Sequence, residues 1–96
     1  MTITVDQPTV QPERTDLDTL VTALRARIDD LDRMVVDIVA ERRVLSRRIQ
    51  EARVAAGGVR VELSRERDIL EAYSASIGSE GVALATAVLR TCRGKL

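Results

Sequence analysis

The sequence predicts an all-α protein: one long N-terminal helix and two shorter helices, assembled as an intimate helical homodimer. Apolar residues recur at alternating three- and four-residue spacing through the first half of the chain, and no strand-like alternation occurs anywhere. The 96 residues are 45% hydrophobic and 31% charged, which is typical of amphipathic helices and not of disordered chains.

The first segment, residues 1–14, is expected to be flexible. It contains Pro8 and Pro12 and shows no helical period. Thr15, followed by an acid three residues later, fits a helix-capping pattern. We therefore expect a single helical domain over residues 15–96.

The long helix is predicted over residues 16–56, because no Gly or Pro interrupts it before Gly57-Gly58. At 1.5 Å per residue it would be roughly 60 Å long, about twice the width of a compact domain of this size. A second chain must then cover its apolar seam, which predicts the homodimer. Two series of residues seven apart form that seam: Leu17, Leu24, Leu31, Ile38, Leu45 and Ala52, and Val21, Ile28, Val35, Arg42, Ile49 and Ala56.

The second and third helices are predicted over residues 64–77 and 80–93. Ser64 is a suitable N-cap for the second helix, and a Gly-containing turn at residues 78–81 ends it. Gly94 is a suitable C-cap for the third helix.

The composition excludes several classes of function. Fifteen cations balance fifteen anions, and only one aromatic residue is present, so neither a basic nucleic-acid surface nor a base-stacking platform is expected. The chain has no His and only Cys92, which excludes an intrachain disulfide and a zinc site. No secretion signal or membrane-length apolar run occurs, so we expect a soluble, cytoplasmic protein without a membrane contact.

Arg42 is the one charged residue in its otherwise apolar series. A buried guanidinium needs an anion or a cavity. Arg53 lies eleven residues further, within about 20° of the same helix face, and the small Ser46 between them leaves room for a ligand. Arg42 could equally be a polar core residue that fixes the helix register.

Four further residues are candidate site residues, although each also has a simpler explanation. Arg25 lies beside the seam, roughly 25 Å along the helix from Arg42, so the two could meet only across an antiparallel interface. Glu62, Arg65 and Glu66 open the second helix, where acids can bind a hydroxyl group or merely complement the helix dipole.

This combination of one long helix and spaced charged residues resembles the all-α, AroQ-type chorismate mutases. In its length and C-terminal residues the chain resembles the short cytoplasmic actinobacterial subclass. The resemblance covers residues 20–93. It is carried, in order and spacing, by four runs: Leu24 to Asp32, Ala40-Glu41-Arg42-Arg43, Ile49 to Arg53, and Ser64-Arg65-Glu66-Arg67.

The resemblance implies an entwined homodimer that rearranges chorismate to prephenate in phenylalanine and tyrosine biosynthesis, without cofactor, metal or covalent intermediate. It implies that Arg42 and the partner subunit's Arg25 hold the two substrate carboxylates. Arg53 would bind the ether oxygen, and Glu66 the hydroxyl group with Glu62 assisting.

The resemblance also implies that Arg65 braces the pocket and Glu66. The chain departs from the family pattern at the C-terminus. Better-known members carry a Gln there that completes the ether-oxygen site, and this chain has no Gln after Gln50. Losing one preorganised donor costs about 3 kcal/mol, so low turnover is expected from the chain alone.

The resemblance to the short subclass implies activation by docking onto 3-deoxy-arabino-heptulosonate-7-phosphate (DAHP) synthase. The tail Arg93-Gly94-Lys95-Leu96 is the expected contact. Deleting these four residues is then expected to abolish activation while leaving basal turnover nearly unchanged. The alternatives are a non-enzymatic coiled-coil adaptor, in which Arg42 only sets the register, and a DNA-binding dimer that uses the arginine-rich stretch from Arg42 to Arg53.

Overall fold

The computed structural model describes residues 13–94, which form three α-helices: α1 over Arg14–Ala55, α2 over Leu63–Ile77 and α3 over Glu80–Arg93. The all-α prediction is confirmed, with helix bounds within two residues of those expected. Residues 1–12, which make up most of the segment expected to be flexible, lie outside the described residues, as do Lys95 and Leu96.

Two predicted N-caps are wrong. The helix α1 begins before Thr15, which lies in its first turn and accepts a hydrogen bond from Thr19 Oγ1 through its carbonyl. The helix α2 begins at Leu63 with Glu62 as N-cap, so Ser64 lies inside the first turn. The Glu62 side chain makes no capping bond, because it is bound to an arginine of α1 instead.

The end of α1 is a Schellman motif built on the two glycines. The N–H of Gly58 donates to the Arg53 carbonyl at 2.7 Å, and the N–H of Gly57 donates to the Val54 carbonyl at 3.0 Å. Gly57 has a φ of 82°, which a residue with a side chain rarely adopts. The glycine pair therefore ends α1 as the sequence predicts, and it fixes the start of the connector, residues 56–62, between α1 and α2.

The chain divides into two compact units. In the first, which ends at Met34, the described residues are the N-terminal part of α1. All of its apolar seam residues are exposed, from Leu31 at 41% to Leu24 at 55%. This unit is an amphipathic helix whose apolar face is covered by nothing within the unit.

The second unit, from Val35 onwards, contains the rest of α1 together with α2 and α3. The helices α2 and α3 pack closely at the Gly81 backbone. The buried side chains are Ala85, Leu89 and Cys92, all on one face of α3. Cys92 is therefore a packing residue of α3.

Candidate active site

The second unit contains a cavity of about 330 Å³. Its walls come from the C-terminal part of α1, the connector, the first turns of α2 and the last turns of α3. Apolar side chains, among them Ile49, Ile69 and Leu89, form part of the lining. Charged side chains form most of the remainder: Arg42, Arg53, Arg60, Arg65 and Arg93, against Glu62 and Glu66.

Five of the six site residues predicted from sequence are brought together in this cavity: Arg42, Arg53, Glu62, Arg65 and Glu66. The inference that Arg42 and Arg53 face one pocket agrees with this placement. Ser46 and Gln50 lie between them on the same face of α1 and line the cavity too. Arg25 belongs to the first unit and is not among the lining residues.

Arg53 is held in place by the connector that follows α1. Its Nε donates to the Val59 carbonyl at 3.0 Å, and its Nη1 lies 2.6 Å from Glu62 Oε2. A guanidinium carries five N–H groups, and these two bonds use two of them. The remaining three, on Nη1 and Nη2, are not engaged by any residue between 13 and 94, so Arg53 is oriented and still able to donate.

Glu66 is held by Arg93, on the last turn of α3. The Arg93 Nε donates to Glu66 Oε2 at 2.7 Å, and Nη2 donates to Oε1 at 3.3 Å. Both side chains are largely buried, with 17% and 18% of their surface exposed. The expectation that Arg65 braces Glu66 is therefore not met: the residue that braces it is Arg93.

Sequence reasoning missed Arg93, Gln50 and Arg60 as cavity residues. The sequence predicts Arg93 as the first residue of a docking tail, although it lies four residues after the buried Leu89 and so continues the packed face of α3. Gln50 carried a similar signal, because it follows Ser46 by four residues. Arg60 lies in the connector, where no helical period could indicate its direction.

The cavity carries an excess of positive charge, five arginines against two glutamates. The ion pairs Arg53–Glu62 and Arg93–Glu66 account for both glutamates. Neither Arg42 nor Arg65 has an ion-pair partner within the described part of the chain. Such a site can hold a small anion that carries more than one negative charge.

Within residues 13–94, no group of three or more His, Cys, Asp or Glu side chains is placed to hold a metal ion. None of the three helices combines the length and apolar character that crossing a membrane requires.

Comparison with known proteins places the chain in a family, although no family model matches it. Over 91 residues it is 37% identical to the intracellular chorismate mutase of Mycolicibacterium smegmatis, and the matched region covers 95% of this chain and 88% of the relative. It is 42% identical over 73 residues to the intracellular chorismate mutase of Mycobacterium tuberculosis, which covers 76% and 69% of the two chains.

A solved structure is similar along most of its length. It is the non-covalent complex of DAHP synthase and chorismate mutase from Corynebacterium glutamicum with a bound transition-state analogue. The TM-score is 0.79 and the identity 39%, over 82% of this chain and 95% of that one. The resemblance seen in the sequence is thus confirmed, and the chain belongs to the family of intracellular, all-α chorismate mutases.

Proposed function

We propose that this chain converts chorismate to prephenate in the cavity of its second unit. The observation that carries the proposal is the excess of arginines around a cavity of about 330 Å³. That volume lies within the usual range for small-molecule sites, roughly 300–1,000 Å³. Chorismate carries two carboxylates, one hydroxyl group and the enol ether that breaks. The cavity offers donors for one carboxylate and for the ether oxygen, and an acceptor for the hydroxyl group.

The two carboxylates are bound by Arg42 and by the partner subunit's Arg25. Arg42 is half-buried, and no acid of the described chain neutralises it. Its guanidinium group is therefore available for a bidentate hydrogen bond to a carboxylate. Arg25 does not line the cavity of its own chain. A second copy is needed to complete the site.

The exposed seam of α1 supports this homodimer. None of the α1 residues is buried, and large apolar side chains such as Val36 and Ile38 expose 67% and 63% of their surface. Apolar patches of this kind on a protein surface mark an interface. A second copy that covers the α1 seam removes the seam from water and brings the partner subunit's Arg25 to each cavity.

Arg53 donates to the ether oxygen, where negative charge develops as the C–O bond breaks. Its three unengaged N–H groups and its fixed orientation suit a preorganised donor, which stabilises a polar transition state without reorganising. Gln50 lies one turn before Arg53 and lines the same cavity, so its amide is the candidate second donor.

Glu66 accepts a hydrogen bond from the substrate hydroxyl group. Arg93 occupies one lone-pair direction of each carboxylate oxygen, and the other directions stay open to a ligand. Glu62 assists indirectly, because its carboxylate orients Arg53. Arg65 contributes positive charge at the cavity wall.

Rate enhancement then comes from two sources. Binding both carboxylates holds the flexible substrate in the compact conformer that rearranges, which lowers the entropic part of the barrier. The arginine at the ether oxygen stabilises the charge separation of the transition state. Both effects require side chains that are fixed before the substrate arrives, as Arg53 and Glu66 are.

The chain works with DAHP synthase in the cytoplasm. The similar mutase of Corynebacterium glutamicum forms a non-covalent complex with that synthase, and the relatives are named intracellular. Arg93 lines the cavity, so it serves the site rather than an exposed docking tail. The proposed contact with the synthase is therefore limited to Gly94, Lys95 and Leu96, the last two of which lie outside the described residues. Deleting all four residues from Arg93 to Leu96 is expected to lower basal turnover, because the deletion also removes a cavity residue.

The test is chorismate consumption, followed in the ultraviolet, by the purified chain with and without DAHP synthase. Low turnover that rises with the synthase and is lost in Arg53→Ala is expected. Arg48→Ala, a change of another α1 arginine that does not line the cavity, is the matched control. No turnover in either condition would reject the enzyme and favour the coiled-coil adaptor.

A further inference from the structure

The Arg93–Glu66 contact joins two helices whose paired residues are 27 positions apart in the chain. It is a two-point contact, with Nε and Nη2 of one guanidinium on the two oxygens of one carboxylate. Two-point geometry fixes the plane of the carboxylate as well as its position. The pair is also the most buried of the three ion pairs in the described chain, so water competes with it least.

The arginines around this contact indicate that it does more than join α2 to α3. Arg42, Arg53 and Arg65 line the same cavity as Glu66. A glutamate free to turn in the empty site would be drawn to one of them, because opposite charges in a partly buried cavity attract strongly. It would then block an arginine needed for the substrate and would no longer face the hydroxyl group.

We propose that Arg93 is a positioning residue, which holds the Glu66 carboxylate towards the substrate hydroxyl group and keeps it off the substrate-binding arginines. This role rests on the proposed function. It requires that Arg93 act through Glu66, so the effects of changing the two residues must not be additive.

The experiment measures kcat and KM for chorismate in wild type, Arg93→Met, Arg93→Lys, Glu66→Gln and the double variant Arg93→Met/Glu66→Gln. Arg90→Met is the matched control, since Arg90 is an exposed arginine one turn earlier on α3 that does not line the cavity. Unfolding midpoints are measured for every variant at one protein concentration.

We expect Arg93→Met to lower kcat/KM roughly 10- to 100-fold, the effect of losing a hydrogen bond to a charged group. Arg93→Lys should recover part of this loss, because it restores the charge but not the two-point geometry. In the Glu66→Gln background, Arg93→Met should change kcat/KM by less than about threefold, since residues that act together are not additive. Arg90→Met should remain at the wild-type level.

Three results would overturn the inference. One is Arg93→Met within twofold of an active wild type. Another is an equal loss from Arg93→Met in both backgrounds with a lowered unfolding midpoint, which would make the pair purely structural. If Arg93→Met does not fold, Arg93→Lys decides, and full wild-type activity in that variant rejects the role. An inactive wild type, by contrast, rejects the proposed function itself, and this inference with it.

Discussion

Replacing Arg42 with Leu separates the enzyme from a helical adaptor. Arg42 interrupts an apolar series on α1, is half-buried, and has no ion-pair partner within the described residues. It stands among four other cavity arginines and close to Leu45 and Ile49 on its own helix. Leucine at this position removes one of several like charges and adds an apolar group beside two others.

The structure predicts opposite effects on stability and activity. Partial burial of a leucine in place of an unpaired charge stabilises the fold by about 1 kcal/mol, and that corresponds to an increase of about 4–8 °C in the unfolding midpoint of a domain of this size. Loss of a charged partner for a substrate carboxylate costs about 2–5 kcal/mol, which lowers kcat/KM by roughly 30- to several-thousand-fold.

The assay combines thermal unfolding at fixed protein concentration with chorismate consumption in the presence of DAHP synthase. Arg43→Leu is the control, because Arg43 is the adjacent exposed arginine and does not line the cavity. A raised midpoint with turnover within tenfold of wild type would refute the reasoning. Arg42 would then be a residue that sets the helix register and not a carboxylate-binding residue.

Three further predictions follow from the same structure. A Cβ on Gly81 would overlap the backbone carbonyl of Tyr73, so Gly81→Ala should destabilise the chain by about 1–3 kcal/mol in denaturant titration, whereas Ser79→Ala, at a cap without a side-chain bond, should not. Gln50→Leu should lower kcat about 10²-fold with little change in KM if its amide is the second ether-oxygen donor, and a loss within twofold would leave that role to Arg53 alone. The unfolding midpoint should rise with protein concentration, as mass action requires of a dimer, and a constant midpoint would argue against the homodimer.

Most of the fold could be predicted because it depends on local chemistry. The helix α1 follows from the absence of Gly and Pro over some forty residues, and its end follows from Gly57, whose positive φ suits glycine. The N-caps were predicted less well. Ser64 has a suitable side chain, but α2 starts earlier, at a point that a contact between Glu62 and Arg53 helps to define.

The sequence by itself determined the three helices, the shared face of Arg42 and Arg53, and the family to which the chain belongs. The helices and the shared face depend on spacings that repeat every few residues along the chain, so helical periodicity alone is enough to position them. Only the tertiary structure decided the ionic partners, Glu62 for Arg53 and Arg93 for Glu66. Those pairs join residues 9 and 27 positions apart, and they form because the packing of α3 on α2 and the path of the connector bring opposite charges together in a partly buried cavity.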